Sequence, residues 1–232
     1  MRKYIRIFVL LCVHNFSAEA QNYRTELLNL IQQLTSADKL ISSELFFSSY
    51  PHHDSKTLTD TMTIRLHAQG NNFCYILGDH EYINNERYSL TIDNTGKQIY
   101  ISKSRIPKVF SFSLPQMDSI LKNATTTVQW LGIKAGCRGY RITFSKGEVA
   151  SEECWFNQNN SQPVKLILYY GKKMVDGEAQ EPRVEMLFRH FRMESRKETA
   201  SVFSENKYLV VDGKQLKPID AFRSYSLINN IK

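Results

Sequence analysis

Long apolar runs are scarce in this 232-residue chain. A membrane-spanning helix needs about 20 consecutive apolar residues, and the N-terminal run from Ile7 to Val13 is stopped by His14 and Asn15. No later stretch approaches that length, so the chain after its N-terminus is expected to be soluble. Chemical motifs are missing as well. There is no Gly-rich phosphate loop, no G-x-S-x-G, no H-E-x-x-H and no C-x-x-C, which removes the common nucleotide-binding, hydrolase, zinc-protease and dithiol readings. The six histidines show no spacing tied to an acid or a nucleophile. His52-His53-Asp54 is the nearest approach to a metal motif, but adjacent strand residues point to opposite faces and a turn after Pro51 accounts for their polarity. The expectation is a protein that is not an enzyme and holds no cofactor or metal.

Cysteine is also rare, with four in the chain. Cys12 lies in the N-terminal apolar run, after Leu10-Leu11 rather than the small residue that normally precedes a lipidated cysteine. Cys74, Cys137 and Cys154 remain, an odd number that leaves one unpaired or all three reduced. Cys137 and Cys154 flank a predicted hairpin turn at Ser145 to Glu148 and are the expected disulfide. Cys74, within Phe73-Cys74-Tyr75-Ile76-Leu77, reads as a small buried hydrophobe. Gly136-Cys137-Arg138-Gly139 also admits an activated thiol beside a cation, although a strand-edge cysteine explains the same residues.

What is present begins with an export signal. Arg2, Lys3 and Arg6 precede the apolar run, and Ala18-Glu19-Ala20 offers small residues at the two positions read by a signal peptidase. Residues 1–20 are therefore expected to be a cleaved leader, and the mature protein is expected in the periplasm. Losing Arg2, Lys3, Arg6 and Glu19 lowers the formal charge of +7 by two. The remaining basic residues are dispersed, so no nucleic-acid partner is expected. A mildly basic surface suits peripheral contact with anionic membrane or wall polymers, and equally a basic domain with no special partner.

Tyr23, Leu27, Leu28, Leu30, Ile31 and Leu34 recur at helical spacing and predict an amphipathic helix from Tyr23 to Lys39. The period then changes to two. Strands are predicted at Glu44 to Tyr50, Thr61 to His67, Asn72 to Leu77, Arg87 to Ile92 and Gln98 to Ser102, the last two joined through Asp93-Asn94-Thr95-Gly96. A short helix is predicted at Pro115 to Lys122. Further strands follow at Arg138 to Phe144, Glu152 to Asn157, Pro163 to Tyr170 and Arg183 to Met193, with a final strand or arm from Phe222 to Ile228. The expected fold class is mainly β with helices (α+β): a half-open antiparallel β-barrel of about ten strands, covered by the N-terminal helix and the short inserted helix. The domain scheme is a leader over 1–20, the half-barrel over 21–202 and a C-terminal extension over 203–232 packed on or near it.

Large apolar side chains alternate along several strands: Met62, Ile64 and Leu66, then Phe73, Tyr75 and Leu77, and near the end Val184, Met186 and Phe188. Such rows fill a closed core, or they line an open barrel that holds an apolar guest. On the second reading the ligand-binding residues are Met62, Ile64, Leu66, Phe73, Tyr75, Leu77, Met186 and Phe188.

This combination resembles the LolA-like and LolB-like family of periplasmic lipoprotein carriers. The shared features are the export signal, the helix beginning at Tyr23, the meander through Thr61 to Leu77 and Tyr88 to Ile101, the insert near Pro115 to Lys122, and the return through Trp155-Phe156-Asn157 and Val164 to Tyr170. The likeness covers residues 22 to 193. It implies a non-enzymatic carrier that holds a lipid or the acyl chains of a lipoprotein in an unclosed barrel beneath helices. The alternative is a structural envelope protein that binds another protein through its sheet edge or C-terminal tail.

Overall fold

The computed structural model describes residues 22–27, 29, 32, 36–104, 126–175, 177–196, 198–212 and 215–231. The leader and the helix predicted at Pro115 to Lys122 lie outside these residues. The chain is mostly strand: β1 (Lys39–Tyr50), β2 (Asp60–Gln69), β3 (Asn72–Leu77), β4 (His80–Asn84), β5 (Tyr88–Asp93), β6 (Gln98–Lys103), β7 (Thr126–Lys134), β8 (Cys137–Phe144), β9 (Val149–Asn157), β10 (Pro163–Tyr170), β11 (Lys173–Val175), β12 (Glu178–Gln180), β13 (Arg183–Ser195), β14 (Leu209–Asp212), β15 (Gln215–Pro218) and β16 (Ser226–Asn229). Among the described residues twelve strands pair in the order β16-β6-β5-β4-β3-β2-β1-β13-β10-β9-β8-β7, and β11–β12 and β14–β15 are separate hairpins. The ladder has two end strands, β16 and β7. It is mixed, because β16 runs parallel to β6, where an all-antiparallel sheet was expected.

The helix predicted from Tyr23 to Lys39 is shorter at its C-terminal end. Residues 22–27, 29 and 32 are helical, but Ala37 and Asp38 form a turn and Lys39 opens β1. The Ser36 hydroxyl bonds the Asp38 carboxylate and the Ser36 carbonyl accepts from Gly70 N–H at 3.1 Å. Those bonds hold the backbone in a turn that competes with helix.

Contacts divide the chain into two compact units, one of residues 1–32, 46–61 and 113–188, the other of 33–45, 62–112 and 189–232. In the first, β7 to β10 and the start of β13 form an antiparallel meander. Its core holds Tyr23, Tyr140, Ile142, Cys154 and Phe156. The Tyr23 ring packs 5.2 Å from that of Tyr140, and its hydroxyl donates to Glu152 Oε1 at 3.3 Å. Burial raises the proton affinity of the Glu152 carboxyl, against the hydrogen bonds from Tyr23 and Cys154. The opposite face carries charged groups around the buried Ile167: Glu153 accepts from Arg141, Tyr169 and Trp155, and Glu185 pairs with Lys165 and Arg183.

The expected Cys137–Cys154 disulfide is absent, and all three described cysteines are free. In the β8–β9 ladder Cys137 lies opposite Asn157, and Cys154 lies opposite Tyr140. An offset of three residues is about 10 Å of strand, beyond the roughly 7 Å that a disulfide spans between α carbons. An odd offset also turns the two side chains to opposite faces of the sheet.

In the second unit, β2 to β6 form a meander of short hairpins. Its core holds Leu40, Cys74, Ile83, Leu90, Ile92, Ile99 and Ile101 with Ala200, Phe203, Tyr208 and Leu209. The C-terminal residues reach it through one-turn 3-10 helices at Ser201–Phe203 and Glu205–Lys207, the β14–β15 hairpin and a further turn at Asp220–Phe222. Within the arm expected at Phe222 to Ile228, Phe222 ends that turn and the strand starts at Ser226.

Candidate functional site

Alternation gives the β2–β6 sheet two faces. One is closed: Cys74, Ile83, Leu90, Ile92, Ile99 and Ile101 are each at most 1% exposed, beneath the C-terminal residues. Polar groups at its margin are matched. Glu81 accepts from Tyr208, from Lys207 at 3.2 Å and from the Cys74 thiol at 3.5 Å. Burial, reinforced by the Glu81 charge, pushes the Cys74 thiol up to about 12. It therefore remains protonated and inert, as its reading as a small hydrophobe requires.

The other face carries Ile64, Leu66 and Ala68 of β2 opposite Leu77, Tyr75 and Phe73 of β3. Tyr82 of β4 stands opposite Tyr75, and the Tyr82 ring stacks on those of Tyr75 and Phe73 at 5.1 and 5.4 Å. Met62 extends the same row along β2. This face differs from the first in cover. Phe73 is buried, whereas Met62, Ile64, Leu66, Tyr75, Leu77 and Tyr82 remain half-exposed. Among the described residues the centre of this face, from Met62 to Ala68 on β2 and Phe73 to Leu77 on β3, carries no Asp, Glu, Lys or Arg, and its margin is polar: Asp60 precedes Met62, His80 and Asn84 flank Tyr82 on β4, and Ser89, Thr91 and Asp93 follow on β5, Asp93 lying 3.8 Å from His80. Burial and the neighbouring Tyr82 hydroxyl raise the proton affinity of Tyr75, so Tyr75 is uncharged at neutral pH. The result is an aromatic-paved apolar patch with carboxylates at its edges, Asp60 and Asp93, and few directional groups at its centre, which suits an apolar guest.

Six of the eight expected lining residues, Met62, Ile64, Leu66, Phe73, Tyr75 and Leu77, therefore share one face. Met186 and Phe188 lie on β13 in the first unit, where Met186 is opposite Leu166. Tyr82 escapes a reading of the sequence because β4 does. The signal available is Gly78-Asp79, the two-residue loop that puts Leu77 opposite His80, with Gly78 at φ +55° as such hairpins require. His53 donates from Nε2 to the Tyr170 carbonyl at 2.9 Å and packs its edge on Tyr169, which gives it a structural occupation. Among the described residues no group of three or more His, Cys, Asp and Glu could hold a metal ion, and no helix is long and apolar enough to cross a membrane.

No family model matches the chain, and no curated protein matches it. Solved structures do. An uncharacterized conserved protein from Thermus thermophilus is similar at TM-score 0.44 and 9% identity, over 89% of this chain and 98% of that one. A LolA superfamily protein from Nitrosomonas europaea is similar at TM-score 0.32 and 10% identity, over 79% and 98%. MucB in the MucA/MucB complex of Pseudomonas aeruginosa is similar at TM-score 0.43 and 12% identity, over 79% of this chain and 62% of that one.

Proposed function

We propose that the protein is a non-enzymatic carrier or binding protein of the cell envelope, which holds a lipid or acyl chain against the face built by Met62, Ile64, Leu66, Phe73, Tyr75, Leu77 and Tyr82. The observation that carries this reading is the unequal cover of the two sheet faces: one is sealed by the chain's own C-terminal residues, and the other is apolar and half-exposed. An acyl chain burying about fourteen methylenes gains roughly 11 kcal/mol, at about 0.8 each. Association costs at least about 4 kcal/mol of that, which leaves at most about 7 kcal/mol and a dissociation constant in roughly the micromolar range. Such binding suits a cargo that must be released. Export by cleavage after Ala20, a periplasmic location and peripheral contact with a membrane belong to the same proposal. Met186 and Phe188 are proposed as a further apolar lining.

Leu66→Asn tests it. A guest lying on Leu66 would meet a carboxamide with no partner, and the affinity for a fluorescent fatty-acyl probe is expected to fall by about 1–3 kcal/mol, or roughly 5- to 150-fold. Because Leu66 is already half-exposed, the melting temperature should fall only slightly. A wild type that binds no fatty-acyl probe, or a variant that loses stability and not binding, would contradict the proposal and favour a protein partner at the sheet edge or tail.

A further inference from the structure

Alternation along β2 turns Arg65 and His67 away from the apolar patch of Ile64, Leu66 and Ala68, to the face where their β3 partners are Ile76 and the buried Cys74. β1 lies between β2 and β13 in the sheet. The three strands form an open cleft of about 240 Å³ in the second unit, whose lining includes Ser42, Glu44, Arg65, His67, His190 and Arg192. Its charge is unbalanced. Glu44, the acid of the lining, is answered by Arg189 at 3.7 Å. Among the described residues neither Arg65 nor Arg192 has a carboxylate within ion-pair distance, and both side chains are exposed. Ser42 Oγ and His67 Nδ1 are hydrogen-bonded at 2.9 Å, so with the hydroxyl donating to Nδ1 the proton of a neutral imidazole sits on Nε2, available to a ligand. His190 adopts φ +52°, a left-handed conformation that costs an L-residue energy. It breaks the alternation of β13, and Arg189 and His190 are both exposed, while Ser43 Oγ ties the break to β1 by donating to the Arg189 carbonyl at 3.2 Å.

We propose that this cleft binds a phosphate group, free or as a monoester, between Arg65 and Arg192. Two strand spacings, about 10 Å, separate the backbones of β2 and β13, and guanidiniums that reach inward from both sides leave room for an anion between them. Each guanidinium is a planar fork that answers two oxygens of one anion at once. The imidazoles of His67 and His190 add donors from the same two strands. The two uncompensated positive charges match a terminal phosphate, which carries a charge of about −1.5 to −2 on three acceptor oxygens, better than a carboxylate with one charge on two. The volume is below the roughly 300–1,000 Å³ of pockets that enclose drug-sized ligands and fits a phosphate with a small substituent. Burial first, then the charges of Lys207 and Arg65 against that of Glu81, lower the proton affinity of the His67 imidazole, and an anion seated here relieves that repulsion. Because the cleft and the acyl patch lie on opposite faces of β2, this inference does not depend on the acyl-chain reading.

The test is titration of the full-length mature protein with inorganic phosphate and glycerol 3-phosphate, and with vesicles of phosphatidylcholine with and without phosphatidic acid. At low salt at least one phosphate carrier is expected to bind, the soluble ones with a dissociation constant between about 30 μM and about 3 mM. Binding of inorganic phosphate or glycerol 3-phosphate identifies a soluble source, and binding of phosphatidic acid vesicles alone identifies a lipid headgroup. Arg65→Gln and Arg192→Gln should each weaken binding about tenfold or more. Lys146→Gln, which removes an exposed cation from the other unit, should leave it unchanged. The imidazole resonances of His67 and His190 should shift on titration and those of His53 should not. Arg65 and Arg192 are exposed, so both variants should keep the wild-type melting temperature and fatty-acyl probe binding. No binding of any phosphate carrier at about 10 mM phosphate, or binding weakened as much by Lys146→Gln as by Arg65→Gln and Arg192→Gln, overturns the inference.

Discussion

Phe203→Ala is expected to destabilise the protein by about 3–5 kcal/mol. Phe203 is 1% exposed and is packed in the cluster that contains Cys74, Ile83 and Leu90. Truncation to alanine removes most of a buried ring and leaves a cavity in a sheet of β-branched side chains that pair rigidly across the ladder and cannot collapse into it. For a chain of this size the loss corresponds to a fall of roughly 10 °C in melting temperature. Denaturant unfolding measures it, and the Cys74 thiol provides a local reporter. Because Cys74 is fully buried and its thiol is held up at about 12, alkylation in the native state should be slow in wild type and faster in the variant. A change below about 1 kcal/mol, ordinary for a surface substitution, would mean that the C-terminal residues do not seal this face, and the contrast between the two faces would be lost.

Gln69→Leu is expected to cost about 2–4 kcal/mol, although it keeps the side-chain volume and adds apolar surface. Gln69 is 2% exposed. Its amide donates to the Ala37 carbonyl at 2.9 Å and the Glu198 carbonyl at 3.1 Å, and its Oε1 accepts from Ala200 N–H at 3.0 Å. One side chain thus ties the turn before β1 and the start of the C-terminal cover to the end of β2. Leucine leaves the buried Ala200 N–H and its neighbouring carbonyls without partners, and each such group costs about 1–3 kcal/mol. Limited proteolysis should show a new cut around residues 196–200 as the cover loosens. A variant as stable as wild type would show that water replaces the amide freely.

Both substitutions act on contacts that the sequence does not reveal. Period-two patterns locate β2, β3, β6, β8 and β10 closely, because one strand face of each is apolar. In β3, however, Phe73, Tyr75 and Leu77 alternate with Cys74 and Ile76, so both faces are apolar and the pattern alone cannot say which is sealed. The answer depends on Phe203, Tyr208 and Leu209, more than a hundred residues away. The tail is visible as an extension, but its 3-10 turns are too short to leave a periodic signature. β4 goes unseen because only Tyr82 and Ile83 are apolar in a five-residue strand. β7 goes unseen although Ala135-Gly136, both at positive φ, close a hairpin after it. The disulfide fails for a metric reason: Cys137 is farther than Cys154 from the turn at Ser145 to Glu148, and hairpin partners must be equidistant. Arg65 and Arg192 look like ordinary surface charges, since nothing in their local sequence announces that they meet in one cleft.

Whether the half-exposed apolar face of the second unit holds an acyl chain is tested most directly by the native mass of the protein recovered from an exporting bacterial host, compared with its mass after denaturation. The expected native species is heavier than the polypeptide of residues 21–232 by the mass of a lipid, with the excess released on denaturation and reduced in Leu66→Asn. A native mass equal to the polypeptide alone, with no lipid recovered by solvent extraction, would contradict this reading.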